Sequence, residues 1–236
     1  MSGKEKFKTY KNVFDHLTLR ILFKLSSQGH FDELQSPISV GKESNVFLAI
    51  KGKDYVLVKI YRVNTCDFKR MYQYIVGDPR FEGLQKQRRK VIYAWAKREY
   101  KNLLLARKAG AAVPQVIAFL GNVLVMELIG NKGEPAPKLK DQLPKHLKNF
   151  SLELFRSLHK MYTYKLIHGD LSQYNILNYE EKPVLIDLSH GTLLRYPRAE
   201  ELLERDMKTL INYFSRAGLK LDIKETLEKI KHGLYL

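Results

Sequence analysis

The pattern of apolar residues along the chain predicts a short helix followed by a β-hairpin. Apolar side chains recur at helical spacing over residues 14–25, and Gly29 follows as a stop signal. Two apolar runs, residues 46–50 and 55–60, flank a polar turn at residues 51–54. β-Branched and aromatic residues on either side of a short turn are typical of two antiparallel strands.

Beyond this hairpin the pattern becomes mainly helical. Residues 62–90 are polar and show no sustained period, so we expect a mobile excursion there. The spacing then predicts a long helix over residues 92–108, ended by Gly110, and an apolar run at residues 123–126 predicts a buried strand. Further helices are predicted over residues 143–164, 199–214 and 223–230.

This order of elements predicts an α+β fold in two lobes. A mostly β first part and a mostly helical second part favour two packed lobes with a cleft between them. We expect a helical extension over residues 1–36, an N-terminal lobe over 37–128 that includes the excursion, and a C-terminal lobe over 129–236.

Composition agrees with a folded chain and adds a strong positive charge. Of the 236 residues, 44% are hydrophobic, which provides enough apolar surface to offset the entropy of ordering. The 41 Lys and Arg against 25 Asp and Glu give a net charge of +16, which attracts nucleotides, RNA or an anionic membrane surface. Cys66 is the only cysteine and no run is long enough to span a membrane, so we expect a cytoplasmic protein.

The most informative motif is His-Gly-Asp-Leu-Ser-Gln-Tyr-Asn at residues 168–175. It places Asp170 and Asn175 at the two ends of a short loop, and Asp187 follows the apolar run at residues 184–186. A carboxylate that orients a hydroxyl, with an amide and a second carboxylate that hold Mg²⁺, is the set of groups that phosphoryl transfer needs. Asp and Asn in loops are more often turn formers, and only the combination favours catalysis.

Upstream residues add to that combination. Lys59 lies mid-strand among apolar neighbours, where an unpaired ammonium would be costly to bury, and Glu99 on the following helix is the expected partner. Such a pair can fix a lysine against nucleotide phosphates. The turn at residues 39–46 carries a glycine, a lysine and a serine that could cradle phosphates, although an ordinary hairpin turn would explain it equally well.

In this order the motifs resemble the RIO family of atypical protein kinases. The stretches at residues 77–81, 95–99, 124–127 and 135–137 are similar to its type 1 branch, and the resemblance covers roughly residues 14–215. It implies a trimmed two-lobed kinase fold, ATP with Mg²⁺ or Mn²⁺ as cofactors, and serine/threonine phosphorylation or ATP hydrolysis during maturation of the small ribosomal subunit. The short tails are typical of an archaeal member.

The resemblance also implies roles for the motif residues. Asp170 would be the catalytic aspartate, Asn175 and Asp187 the metal ligands, and Lys59 with Glu99 the ion pair. Asp187 could also accept phosphate and form an acyl-phosphate intermediate. His168 would brace the loop rather than transfer protons.

A further set of residues would bind ATP. It comprises Val40, Gly41, Lys42, Glu43, Ser44, Val46, Lys59, Met126, Glu127 and Ile129. Glu127 and Ile129 would offer backbone groups to adenine, and Met126 would stand at the back of the adenine pocket.

Several positions depart from the family's pattern. Val40 stands where threonine is usual and Gln173 where glutamate is common, while Gly169 replaces the arginine of ordinary kinases. Leu-Ser follows Asp187 in place of Phe-Gly, and no Ala-Pro-Glu segment follows, so neither a conventional activation loop nor a peptide-binding shelf is expected. Residues 62–90 contain no serine.

Self-phosphorylation is nevertheless part of the expected activity. It would use Thr65 within that excursion, or residues elsewhere such as Ser2, Ser26 or Ser27.

Three functions stay open on the sequence alone. The first is a serine kinase that acts on a ribosome assembly factor or on itself. The second is a small-molecule phosphotransferase, although residues 131–149 are few for the substrate-binding insertion such enzymes usually need. The third is an assembly factor that docks on the rRNA and proteins of the small-subunit precursor and uses ATP turnover as a release switch, which the +16 charge favours. The sequence does not predict the oligomeric state.

Overall fold

Two units make up the part of the chain, residues 14–234, that the computed structural model describes. Unit 1 comprises the described part of Met1–Tyr100 together with Gln115–Leu128 and Lys132–Glu134. Unit 2 comprises Lys101–Pro114, Ile129–Asn131 and the described part of Pro135–Leu236.

Unit 1 is built on a five-stranded antiparallel sheet with the strand order β1-β2-β3-β5-β4. The strands are β1 (Glu33–Val40), β2 (Ser44–Lys51), β3 (Asp54–Tyr61), β4 (Val116–Leu120) and β5 (Val123–Glu127). The predicted hairpin is confirmed as β2 and β3, and the predicted buried strand as β5. Strand β4 and the first half of β1 lack a pattern to predict them, because β1 is mostly exposed and every residue of β4 is half-buried.

Helix α1 (His16–Ser27) covers one face of this sheet, as its spacing predicts. It begins at Asp15, whose carboxylate accepts the backbone N–H groups of Leu17 and Thr18 and so satisfies two of the open donors of the first turn. Its buried residues Leu22 and Leu25 belong to one apolar cluster with side chains of the sheet. Burial of this face stabilises the helix more than its intrinsic propensity does.

The segment over residues 62–90 is folded onto the beginning of helix α3 (Arg88–Lys108). It contains helix α2 (Phe68–Ile75), which the sequence did not predict, and a 3₁₀ turn at Pro79–Phe81. Helix α2 buries only Met71 and Ile75, a single pair four residues apart, so no sustained period could reveal it. These side chains join a buried cluster that includes Trp95 of α3.

Unit 2 is mainly helical, with the last turns of α3 and helices α4 (Leu147–Thr163), α5 (Ala199–Arg216) and α6 (Ile223–His232). All three later helices confirm predicted ones, and α4 starts after residue 143 because Pro144 disfavours helix in the residue before it. None of the helices α1–α6 in the described part is long and apolar enough to cross a membrane.

The remaining strands are short, and all their residues except Glu134 belong to unit 2. They are β6 (Gly130–Asn131), β7 (Glu134–Pro135), β8 (Leu166–Ile167), β9 (Ile176–Tyr179), β10 (Lys182–Leu185) and β11 (Thr192–Leu193). Strands β9 and β10 form a hairpin, and β8 pairs with β11. The loop of residues 168–175 runs from β8 to β9, and Asp187 follows β10, so two paired elements present the predicted catalytic residues.

Candidate active site

Lys59 and Glu99 form a buried ion pair in unit 1. Lys59 Nζ lies 2.9 Å from Glu99 Oε1, and the side chains are 6% and 1% exposed. Lys59 stands on β3, opposite Val46 of β2, and the Tyr61 hydroxyl donates to the other Glu99 oxygen, Oε2. The ion pair expected from the sequence is therefore present, and it removes the cost of burying an isolated ammonium. Tyr61 is a partner that the sequence did not reveal.

The predicted phosphate-binding turn connects β1 to β2. The Gly41 N–H donates to the Ser44 carbonyl at 2.9 Å, which closes the turn, and Arg62 Nη1 donates to the Gly41 carbonyl at 3.1 Å. Val40 is 68% exposed. This geometry is that of a hairpin turn, and the contacts of Val40, Gly41, Lys42, Glu43, Ser44 and Val46 with ATP stay predictions.

The predicted adenine-binding residues lie at the end of β5 and just beyond it. Met126 is buried in β5. The Glu127 N–H donates to the Gln115 carbonyl at 2.9 Å, and the Ile129 carbonyl accepts the Ala136 N–H at 2.8 Å. Binding of adenine by the backbone groups of Glu127 and Ile129 stays a prediction.

Asp170 and Asn175 are brought together in unit 2 by the turn between them. Asn175 Nδ2 donates to the Asp170 carbonyl at 2.8 Å and contacts its Oδ2 at 3.4 Å, and the Asn175 N–H donates to the Ser172 carbonyl at 2.9 Å. The Asp170 side chain is exposed. With its nitrogen turned to Asp170, the Asn175 amide directs its oxygen elsewhere, as a metal ligand requires.

Asp187 adopts a left-handed backbone conformation, with φ 59° and ψ 65°. Asp tolerates this region better than most residues, and strained backbone of this kind clusters at active sites. Ser189 Oγ donates to Asp187 Oδ1 at 2.9 Å. The Ile186 N–H donates to the Asn175 carbonyl at 3.0 Å, so a direct backbone bond ties the loops of the two expected metal ligands together.

Two buried side chains brace the backbone around Asp187. His168 Nε2 lies 3.0 Å from the Ile186 carbonyl, which agrees with the bracing role predicted for this histidine. Asn102 Nδ2 donates to the carbonyls of Leu188 and Gly191 at 2.8 and 2.7 Å. No pattern in the sequence connects Asn102 with a loop so far along the chain, so its contribution becomes visible only in the structure.

The oxygen atoms of Asn175 and Asp187 suit a Mg²⁺ ion that is bound together with a nucleotide better than a metal ion held by protein side chains alone. Among residues 14–234 there is no group of three or more His, Cys, Asp or Glu side chains that could hold a metal ion. Mg²⁺ prefers hard oxygen ligands and usually binds one or two carboxylates together with substrate phosphates. The Asp187 carboxylate and the Asn175 amide oxygen fit that mode, with the remaining ligands supplied by a nucleotide and water.

Arg205 and Asp206 on helix α5 hold both backbone groups of Gly169, the residue before Asp170. Asp206 Oδ2 accepts the Gly169 N–H at 2.7 Å, and Arg205 Nη2 donates to the Gly169 carbonyl. Burial raises the pKa of Asp206 to about 7, although the N–H groups of Leu171 and Gly169 and the Arg205 charge favour the ionised form. The sequence held a signal for Asp206, because this carboxylate falls on the apolar stripe of α5.

Gly169 meets a steric requirement at this position. Its φ is +77°, and a Cβ built there would lie 2.5 Å from the His190 carbonyl oxygen. A side chain is therefore excluded both by the backbone conformation and by the neighbouring main chain. This explains why arginine, which ordinary kinases carry here, does not fit this chain.

Comparison with known proteins agrees with these motifs. The RIO domain model matches residues 45–228. The RIO-type serine/threonine-protein kinase Rio1 of Haloferax volcanii is 41% identical over 222 residues, which cover 92% of this chain and 76% of that protein. The Rio1 proteins of Methanocaldococcus jannaschii and Thermoplasma acidophilum are 42% and 36% identical, over 96% and 79% of this chain and 78% and 98% of their own lengths.

A solved structure supports the fold. The Rio2 kinase of Chaetomium thermophilum, crystallised as an ADP/Mg²⁺-phosphoaspartate complex, has a TM-score of 0.68 and 20% identity and covers 93% of this chain and 68% of its own. The trimmed, kinase-like α+β fold expected from the sequence is thereby confirmed. The matches to archaeal Rio1 proteins confirm the branch and fit an archaeal member. The chain belongs to the RIO family of serine/threonine-protein kinases, in its type 1 branch.

Proposed function

We propose that this chain transfers the γ-phosphoryl group of Mg-ATP to a serine or threonine hydroxyl, or to water, during maturation of the small ribosomal subunit. One observation carries the enzymatic part. A bond from Asn175 to Asp170 and a backbone bond from Ile186 to Asn175 hold the expected proton acceptor and both expected metal ligands in one braced arrangement. Reacting groups held in this way avoid much of the entropy cost of the reaction.

Each residue then has a defined task. Asp170 orients the attacking hydroxyl and accepts its proton, and Lys59, fixed by Glu99, contacts the α and β phosphates. Asn175 and Asp187 hold Mg²⁺, which when bound neutralises charge on the phosphates. Other parts of the ATP site are those predicted from the turn at residues 40–46 and from residues 126–129.

Asp187 has a second task as a phosphate acceptor. Attack of a carboxylate oxygen on the γ-phosphorus would form an acyl phosphate and release ADP, and water would then hydrolyse it to inorganic phosphate. The ADP/Mg²⁺-phosphoaspartate complex of the Rio2 kinase supports this proposal. In this chain the Ser189 hydroxyl lies 2.9 Å from Asp187 Oδ1 and would hold the Asp187 carboxylate in a fixed rotamer.

The experiment that tests the enzymatic proposal follows the label of γ-labelled ATP. We expect label on the protein and in inorganic phosphate, and none on small-molecule acceptors. Asp170→Asn and Asp187→Asn should lose both products, while Glu153→Gln, a change on the exposed face of α4, should keep them. Label that moves to an added sugar or amine instead would favour the small-molecule phosphotransferase.

Self-phosphorylation requires an accessible hydroxyl. Thr65 and Ser27 are exposed and Ser26 is half-buried, whereas Ser2 lies outside the described residues. Mass spectrometry after incubation with Mg-ATP identifies the modified residue. The prediction fails if the protein carries no phosphate while it turns ATP over.

The ribosomal part of the proposal rests on charge and on the family. A net charge of +16 favours contact with rRNA, and such contacts release counterions, so binding to small-subunit precursors should weaken steeply with salt. Lack of binding at low salt would remove the ribosomal role but not the enzymatic one. An ATP-switched assembly factor with little kinase activity would instead bind particles and release inorganic phosphate without labelling any protein. A cytoplasmic location stays part of this proposal.

A further inference from the structure

A buried ionic cluster in unit 1 joins the segment before helix α3 to the helix itself. The side chains of Asp78 and Arg98 are each 1% exposed, and Arg98 Nε lies 3.4 Å from Asp78 Oδ2. Arg80 completes the cluster, since its backbone N–H donates to Asp78 Oδ1 at 3.0 Å and its Nη2 to Oδ2 at 2.6 Å. The Arg98 guanidinium also lies 5.4 Å from the centre of the Trp95 ring.

Such a cluster contributes more to geometry than to stability. The attraction within a buried ion pair repays its desolvation only in part, and apolar residues of similar volume often stabilise a fold as well or better. Burial acts to raise the pKa of Asp78, but the hydrogen bonds from Arg80 and the charges of Arg80 and Arg98 outweigh it and hold that pKa below its usual value. Asp78 is therefore ionised at neutral pH and keeps its guanidinium partners in fixed positions.

Arg98 and Glu99 are consecutive residues of α3, so their side chains leave the helix about 100° apart. On one flank Arg98 meets Asp78, and on the next Glu99 meets Lys59 and Tyr61. A rotation or slide of α3 that broke the first contact would also displace Glu99. The position of the Lys59 ammonium is thus set in part by residues that lie away from it.

A second connection runs through Tyr61. Its ring packs in the same buried cluster as Met71, Ile75 and Phe81, which belong to the segment over residues 62–90. Its hydroxyl donates to Glu99. The segment therefore reaches Glu99 both through the Asp78 cluster and through Tyr61.

We propose that Asp78 and Arg98 form a latch that sets the position of Glu99, and through it of the Lys59 ammonium, for ATP turnover. Both are positioning residues, because they act through Glu99 and not on the nucleotide. Because Asp78 belongs to the segment over residues 62–90, a displacement of that segment changes ATP turnover by moving helix α3. This inference rests on the proposed ATP-dependent function.

The test compares steady-state ATP turnover in the full chain and in four variants. Asp78→Asn keeps the shape and removes the charge, and Arg98→Met removes the partner. The double variant removes both, so that neither Asp78 nor Arg98 leaves its charge buried without the other. Leu25→Val is the matched control, because it removes a buried methylene from the other apolar cluster of unit 1, away from the latch and from Tyr61. Thermal unfolding of each variant identifies a temperature at which all are folded.

We expect Asp78→Asn to lower kcat/KM for ATP by tenfold to a hundredfold, on the order that a misplaced catalytic group loses. Arg98→Met and the double variant should lose about as much, since residues that act as a unit are not additive. Even if the double variant is more stable than either single variant, its kcat/KM should stay low. Leu25→Val should lose stability and keep wild-type kcat/KM.

Two results would overturn the latch alone: wild-type kcat/KM in Asp78→Asn, or turnover that follows thermal stability across all variants including Leu25→Val. Absence of turnover in the wild-type chain would overturn the proposed function, and the latch with it. If Arg98→Met does not fold, the comparison of Asp78→Asn with Leu25→Val decides between the two outcomes.

Discussion

The buried carboxylate of Asp206 should make the stability of this protein depend on pH in an unusual direction. Burial raises its pKa from 3.8 to about 7, so between these values the folded protein binds a proton that the unfolded chain has released. The free energy of unfolding therefore falls as the pH rises from about 4 to about 7, and the loss ends above the folded pKa. The difference between the unfolded and folded pKa values of Asp206 corresponds to about 4 kcal/mol.

Asp206→Asn tests this directly. Asparagine keeps a carbonyl oxygen for the Gly169 N–H but has no charge to bury. Urea denaturation of both proteins at about pH 5 and about pH 8 gives the two free energies of unfolding, and we expect the variant to gain several kcal/mol relative to wild type at the higher pH. Glu201→Gln on the same helix is the control, since an exposed carboxylate with a lowered pKa should show no such gain.

A stability difference between wild type and Asp206→Asn that stays constant from about pH 5 to about pH 8 would contradict a raised pKa of Asp206. Such a result would mean that the hydrogen bonds from the N–H groups of Gly169 and Leu171, with the Arg205 charge, fully compensate for burial.

Three further variants test the bracing of the site. Gly169→Ala should lower the free energy of unfolding by about 1–3 kcal/mol and abolish ATP turnover. Its Cβ would lie 2.5 Å from the His190 carbonyl oxygen, at a residue with a positive φ. Wild-type stability in urea denaturation would contradict this expectation. Glu99→Gln leaves the buried Lys59 ammonium without its charge partner, so it should lower the free energy of unfolding by about 3–5 kcal/mol and raise KM for ATP. An unchanged thermal midpoint with unchanged KM would count against the ion pair. Asn102→Leu removes one hydrogen bond from each of two carbonyls, of which that of Leu188 keeps the Gly191 N–H. It should cost about 1–3 kcal/mol in total and raise the Mg²⁺ concentration needed for half-maximal turnover; an unchanged Mg²⁺ titration would exclude a role in holding the Asp187 loop.

The sequence was most informative where local pattern and structure coincide. Long helices such as α4 and α5 show a helical period over their whole length, and the β2–β3 hairpin has apolar runs on both sides of a polar turn. Helix α2 and strand β4 lack such patterns. Helix α2 buries only two residues, and β4 is half-buried throughout, so tertiary packing and not local alternation decides their structure.

The candidate site shows the same division. Asp170, Asn175 and Asp187 could be predicted because their spacing is itself the chemical motif. Asn102 could not, because its contacts join residues 86 and 89 positions apart in the chain, and no alternation or spacing encodes a contact of that range. Asp206 lies between these cases. A carboxylate on the apolar stripe of a helix predicts that it is buried with a hydrogen-bond partner, but the sequence does not identify that partner.

The direct test of phosphoryl transfer at this site is ATP turnover by Asp187→Ala, measured beside wild type at saturating Mg²⁺ and with a thermal melt that shows the variant folded. We expect wild type to convert ATP to ADP and the variant to fall to the level of a sample without protein, because Asp187 is the expected metal ligand and phosphate acceptor. Wild-type turnover in the folded variant would contradict the assignment of this site to phosphoryl transfer.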